Sequence, residues 1–149
     1  MIYCTEPATQ EDFNAVRFSP CGEHVTPEVM SLNLEHSCAL HDKDGTVVGC
    51  AGVIQIFDGT AEVWAAFSDE LLAHHKLSVT KLAKKMLARW QETGHFKRIT
   101  AMTPQSRTHS AWLEVLGFQV EGVMHNFGPG ASGDWCVMGL LGEQLCPPS

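Results

Sequence analysis

One tyrosine, Tyr3, is the only phenol in 149 residues, so no later segment can supply a phenolic proton donor. Basic residues are also scarce. Ten Lys and Arg face seventeen Asp and Glu, a net charge of −7. Nothing in the chain resembles a phosphate-tracking basic surface, and no nucleic-acid partner is expected. No apolar run approaches the length of a bilayer span, and MIYCTEPATQ lacks the charged and apolar regions of a signal peptide, so no membrane association is expected. The six cysteines (Cys4, Cys21, Cys38, Cys50, Cys136, Cys146) contain no C-x-x-C pair and are widely, irregularly spaced. Cys38, Cys50 and Cys136 sit in apolar, strand-like segments, where a reduced cysteine behaves as a small core residue; a cytosolic chain is expected rather than a disulfide framework. Zinc-like ligand spacing is missing too. Glu70 and His74 lie four apart on an expected helix, but no third ligand follows, so no metal is expected.

The chain has the length and the apolar content, 44%, of a single globular domain. Ile2 to Thr5 reads as a first strand. Thr9 is the expected N-cap of a helix whose first turn carries Glu11 and Asp12. Arg17 to Pro27 reads as a loop, and Pro27 to about Glu35 as a second helix capped by Thr26. Asp44-Gly45 and Asp58-Gly59 then separate three β-rich runs (37–41, 46–57 and 61–67), which predicts an antiparallel meander. Ser68-Asp69-Glu70 opens the longest expected helix, to about Thr93, closed by Gly94. Its apolar stripe is Leu71, His75, Val79, Leu82, Met86 and Trp90. A strand over 98–102, a helix over 107–116, a strand over 118–127, a turn at 128–133, a last strand over 135–141 and an irregular tail over 143–149 complete the reading.

Ser106 to Gly122, SRTHSAWLEVLGFQVEG, carries the most specific pattern: an amphipathic helix stops at Gly117, a natural left-handed C′ residue, and a strand follows at once. This corner resembles the last helix–strand unit of the GNAT acyltransferases. The order β-α-α-β-β-β-α-β-α-β-β resembles theirs over the whole chain. The resemblance implies an α/β (α+β) fold: a mixed, mostly antiparallel central sheet flanked by helices, in one domain spanning 1–149. It also implies acetyl-CoA as the cofactor, bound by the strand residues Val63, Trp64 and Phe67 and by the helix opening His74, His75, Lys76, Leu77, Ser78, Val79 and Lys81.

The family's phosphate loop has Gln/Arg-x-x-Gly-x-Gly/Ala, because glycines let a phosphate approach unpaired N–H groups at a helix start. Here the first position falls on His74 and the two glycine positions on Leu77 and Val79, so both glycines are missing. A valine against the phosphate would obstruct it. Lys76 and Lys81 either pair with phosphates or form a solvated basic face. Glu62, the one acid inside its strand, is the candidate base; the alternative is an exposed strand glutamate. The family's tyrosine acid falls on Leu113, its helix-opening asparagine on Ser106 and the alanine three residues on at His109. His109 is the substitute acid, with His125 as another option.

Trp112-Leu113-x-x-Leu116-Gly117-Phe118, Glu62-Val63-Trp64, Phe67-Ser68-Asp69 and His74-His75-Lys76 together resemble the GNAT-like proteins encoded by tailed phages, including the family named after the podophage internal virion protein A. Members of that group often lack the glycine loop and the tyrosine, and some are taken to act in virion assembly. The resemblance implies a protein of the host cytoplasm, incorporated in the virion, that binds other phage proteins or copies of itself. Three readings therefore stand: an assembly protein with degraded catalytic motifs, an active acetyl-CoA-dependent N-acetyltransferase, and an acyl-CoA-binding module without turnover.

Overall fold

The computed structural model describes residues 1–16, 34–106, 108–127 and 133–142, with the backbone alone at 69, 70 and 72. In chain order the elements are β1 (Tyr3–Thr5), α1 (Gln10–Val16), β2 (His36–His41), β3 (Val47–Phe57), β4 (Thr60–Phe67), α2 (Asp69–His74), α3 (Lys76–Thr93), β5 (Arg98–Pro104), α4 (His109–Val115), β6 (Gln119–Met124) and β7 (Trp135–Leu141). The strands form a seven-stranded sheet in the order β1-β2-β3-β4-β5-β7-β6. It is mostly antiparallel, and β4–β5 is parallel. This is the expected α+β architecture. The expected loop over 17–27, the body of the second helix and the tail over 143–149 lie outside the described residues. Leu34 and Glu35, at the end of that helix expectation, are not helical.

The chain clusters into two compact units, residues 1–54 with 63–87, and 55–62 with 88–149. In the first unit Thr9 caps α1 as expected. The Asp12 N–H donates to Thr9 Oγ1 at 3.1 Å, and the Thr9 N–H donates back to Asp12 Oδ2 at 2.9 Å. This reciprocal pair satisfies two backbone donors. The helix buries Phe13 and Val16 in a cluster with Ala8, Ala39, Cys50, Trp64 and Ala66. Phe13 meets Trp64 edge-on with ring centroids 6.0 Å apart. Gly52 makes room for that indole: a Cβ there would lie 2.8 Å from Trp64 Cζ2 and 2.6 Å from the His36 carbonyl oxygen. In the β2–β3 turn, Asp42 Oδ1 accepts from the N–H groups of Asp44 and Thr46, and Gly45 takes a φ of 83°.

The long helix expected from Ser68 to Thr93 is two helices. Ser68 caps α2, its Oγ accepting from the Leu71 N–H at 3.2 Å. At His75 the backbone leaves the helical region (φ −130°, ψ 22°). The His75 N–H closes α2 on the Leu71 carbonyl, and the His75 carbonyl accepts the Val79 N–H as the first bond of α3, both at 2.9 Å. An apolar period runs through both helices, so it could not register a break of one residue between them.

The second unit shows how helices are stopped. Gly117 (φ 107°) is the expected C′ residue of α4. The Phe118 N–H donates to the Leu113 carbonyl and the Gly117 N–H to the Glu114 carbonyl, both at 3.0 Å: the two bonds of a Schellman cap. Helix α3 ends the same way but not at Gly94, as expected. The Phe96 N–H donates to the Gln91 carbonyl at 3.0 Å and the His95 N–H to the Glu92 carbonyl at 3.3 Å. The left-handed residue is His95 (φ 54°). Gly94 is needed for space, since a Cβ there would sit 2.2 Å from the ring of buried Phe96. A non-glycine residue held left-handed loses about 1 kcal/mol. His95→Gly should therefore raise stability by about 0.5–1 kcal/mol, a melting shift of about 2 °C; a lower melting temperature would show that the imidazole makes a bond worth more than the strain.

Arg98 on β5 and Glu121 on β6 join across β7. The guanidinium donates from Nη1 to Glu121 Oε2 at 2.9 Å and from Nη2 to Oε1, while Nε donates to Thr100 Oγ1 at 3.0 Å. Gly139 lies under the bridge; a Cβ there would meet Glu121 Oε2 at 2.8 Å and Arg98 Nη1 at 3.0 Å. The register of β6 shifts between Val120 and Gly122, so Glu121 is the extra residue of a bulge that the arginine anchors. The arginine's hydrogen bonds hold the Glu121 carboxyl below its ordinary value. The α4 and β6 boundaries are tighter than expected, at His109–Val115 and Gln119–Met124, whereas β7 spans the expected 135–141.

Candidate active site

Glu62 lies where a ladder stops. The parallel register of β4 with β5 pairs Thr60 with Arg98, Ala61 with Ile99 and Glu62 with Thr100, and β4 then runs on from Val63 to Phe67 past the end of that register. The carboxyl is half-buried, and burial raises its pKa above the ordinary glutamate value. Its position is half-buried rather than exposed. A carboxylate with raised pKa beside a ladder end is a basic group with few competing solvent contacts. Val63 is half-buried, but Trp64 and Phe67, each 8% exposed, are packed into the first unit. Their rings are committed to the core, and any part they take in holding a cofactor falls to their backbone. Trp64 Nε1 is buried with no acceptor among the described residues.

The helix-opening candidates gather at the α2–α3 junction. His74, Lys76, Leu77, Ser78 and Lys81 are exposed, His75 is half-buried and Val79 is buried. Because the first N–H of α3 to bond back is that of Val79, the N–H groups of Lys76, Leu77 and Ser78 have no acceptor within α3. The dipole of an 18-residue helix adds positive potential there. The Val79 side chain is 2% exposed, on the buried side of α3. Leu77 is 81% exposed.

In the second unit Ser106 and His109 come together. Ser106 Oγ accepts from the His109 N–H at 2.9 Å and lies 3.0 Å from His109 Nδ1. Ser106, rather than the adjacent Thr108, caps this turn, because Thr108 makes no side-chain cap bond. When the hydroxyl donates to Nδ1, the neutral ring carries its proton on Nε2. Leu113, at the tyrosine position, is half-buried, and its carbonyl accepts the cap bond from Phe118.

A second imidazole pair was less legible in the sequence. His125 Nδ1 lies 3.0 Å from Asp134 Oδ2, and Asp134 Oδ1 accepts from the Asn126 N–H at 3.2 Å. Those bonds hold the Asp134 carboxyl below its usual range, the His125 contact being the larger cause. The Asp134 carbonyl accepts the Gln105 N–H at 3.0 Å, so the β6–β7 connection is tied to the residue before Ser106. The nine-residue separation gives no periodic signal; only the antiparallel pairing of β6 with β7 brings the two side chains together.

Cys38, Cys50 and Cys136 are buried free thiols, as expected of core residues. Burial pushes the Cys50 thiol up to about 12 and raises Cys38 further, so neither is a nucleophile near neutral pH. Among the described residues no group of three His, Cys, Asp or Glu could hold a metal ion, and no helix is long and apolar enough to cross a membrane.

No family model matches the chain, and no curated protein matches it in sequence. Solved structures do match it in fold. Ard1 from Thermoplasma volcanium superposes with a TM-score of 0.76 at 10% identity, covering 94% of this chain and 97% of that one. A chimera of the spermidine N-acetyltransferase SpeG from Vibrio cholerae and hSSAT gives 0.72 at 15% identity over 99% of both chains. An acetyltransferase of the GNAT family from Bacillus anthracis gives 0.69 at 17% identity over 94% of both. The chain has the GNAT acetyltransferase fold.

Proposed function

We propose that this protein is an N-acyltransferase that moves an acyl group, acetyl in the simplest case, from a thioester to an amine. The observation that carries this reading is Glu62: a half-buried carboxyl of raised pKa at the last pair of the β4–β5 register. Acetyl-CoA, when bound, supplies the acyl group as an activated thioester. The protein's own residues do the rest. Glu62 takes a proton from the amine, directly or through a water, which frees the nitrogen lone pair for attack on the thioester carbon. As the C–S bond breaks, the departing thiolate needs a proton, and His109, with Nδ1 engaged by Ser106, is the candidate donor in place of the missing tyrosine. Neighbours whose names include spermidine N-acetyltransferase support a small amine as the acceptor class.

Titration calorimetry with acetyl-CoA tests the reading. Micromolar affinity is expected, and no heat of binding at millimolar ligand would sink it.

A second reading, a phage protein that works in virion assembly by binding other phage proteins or itself, is favoured by one observation: Leu77, Val79 and Leu113 occupy the places of two glycines and the tyrosine. On that reading the chain acts in the host cytoplasm and enters the particle. It predicts that the protein copurifies with particles while acetyl-CoA fails to bind.

A further inference from the structure

The sheet of the second unit has one packed face and one open face. Ile99 and Ala101 on β5 and Met138 on β7 are buried. Thr100 and Met102 alternate with them and point to the other face. The strand registers extend that open face in rows. Glu62 stands beside Thr100, Met102 beside Val137, and Val137 beside Gly122. Met102 is 40% exposed, and Val137 is half-buried. An apolar strip therefore crosses β5, β7 and β6 one row beyond Glu62, on a kind of face that ordinarily carries polar residues. At the usual strand spacing it is about 10 Å wide. Gly122 is its far end, and a Cβ there would meet no atom within 4 Å. No neighbour in the protein fills that space. In the following row Trp135 packs against Phe127, with ring centroids 5.6 Å apart.

We propose that the acceptor is a primary monoamine with a flat apolar body, such as an arylethylamine, which lies along the Met102–Val137–Gly122 strip with its nitrogen at Glu62. This inference rests on the N-acyltransferase reading and narrows its acceptor, and every residue it uses belongs to the second unit. An apolar body covers the strip from water, and a ring has room over Gly122 that a branched neighbour would deny it. Charge argues against a polyamine. On this face both oxygens of Glu121 are taken by the Arg98 guanidinium. Among the described residues that leaves Glu62 as the one carboxyl on the face without an ion pair, enough for one ammonium and not for two or three. In the reaction the amine nitrogen bonds to the thioester carbon and the C–S bond breaks. The amine proton passes to Glu62, and the departing thiolate takes up a proton. The products are an apolar amide and a free thiol.

The test pairs binding with turnover on the full chain. In spectra of methyl-labelled methionine, tryptamine alone should shift the Met102 resonance in a saturable way and leave that of buried Met138 in place, and spermidine should shift neither. Gly122→Val should weaken tryptamine binding at least tenfold, and an unchanged melting curve shows that this variant folds. Met102→Gln, a second variant of similar size, should weaken it at least threefold. With acetyl-CoA as donor, kcat/KM for tryptamine should exceed that for spermidine at least tenfold, and Gly122→Val should act through KM. Tryptamine binding that leaves Met102 unmoved, or is indifferent to both substitutions, overturns the proposal. A dimer in sedimentation that Met102→Gln dissociates would assign the strip to a second copy and overturn it too. Turnover of spermidine in preference to tryptamine would overturn this inference and leave the N-acyltransferase reading standing. Tryptamine binding on the strip with no amide from any amine would instead overturn the N-acyltransferase reading and uphold the binding strip.

Discussion

Glu62→Gln is expected to slow acyl transfer by about 100-fold in kcat, the lower end of what a positioned base contributes, with donor affinity unchanged. The amide keeps the size of the side chain and removes only its ability to take a proton. The wild-type rate should rise with pH through the raised pKa of Glu62, and the variant should lose that limb. Stability should move the other way. Burial raises the folded-state pKa above the unfolded one, so the folded protein holds the Glu62 proton to higher pH. Across the window between the two values stability falls as pH rises. Above both values the ionised carboxylate bears the desolvation penalty, and Gln bears none of it. The variant should therefore melt at the same or a higher temperature above both values, and the difference should shrink well below the unfolded value of about 4.3, where Glu62 is neutral in both states. A variant that melts lower and keeps its rate would show a structural glutamate instead of a base.

Phe118→Ala is expected to be the most damaging single truncation of the helix–strand corner. Phe118 is 2% exposed, and its N–H makes the long bond of the α4 cap to Leu113. The bond would survive the substitution, but the ring would leave a cavity. Phenylalanine truncation in a core costs about 3–5 kcal/mol, which for a chain of this size lowers the melting temperature by about 10 °C. Val115→Ala, three residues away and 57% exposed, should change stability by less than about 0.5 kcal/mol. Chemical denaturation of the pair measures the contrast, and equal effects would mean that the corner is not anchored by its aromatic residue.

The helix–strand corner shows where sequence reading works. Gly117 announces a left-handed stop because no other residue enters that conformation without strain, and the two cap bonds follow from backbone geometry alone. Thr9 with Asp12, the Asp-Gly turns and the β7 boundaries were legible for the same reason: each is decided by chemistry within a few residues. His95 shows the limit. Gly94 carried the local signal for a helix stop, but the buried ring of Phe96 claimed the space beside it and moved the left-handed residue onward by one.

The candidate site divides the same way. The identity of Glu62 as the one acid in its strand, the loss of two glycines and the tyrosine, and the run of lysines without acids are properties of the chain as written. Whether Glu62 is a base depends on the desolvation of its carboxyl and on where the β4–β5 register ends, and neither is encoded locally. Val79, on the apolar stripe of the expected helix, is buried. The His125–Asp134 pair needs β6 and β7 to return antiparallel before its two members meet. Local backbone preference thus determined turns, caps and the order of elements. Burial, which depends on residues far apart in the chain, determined which side chains remain free to do chemistry.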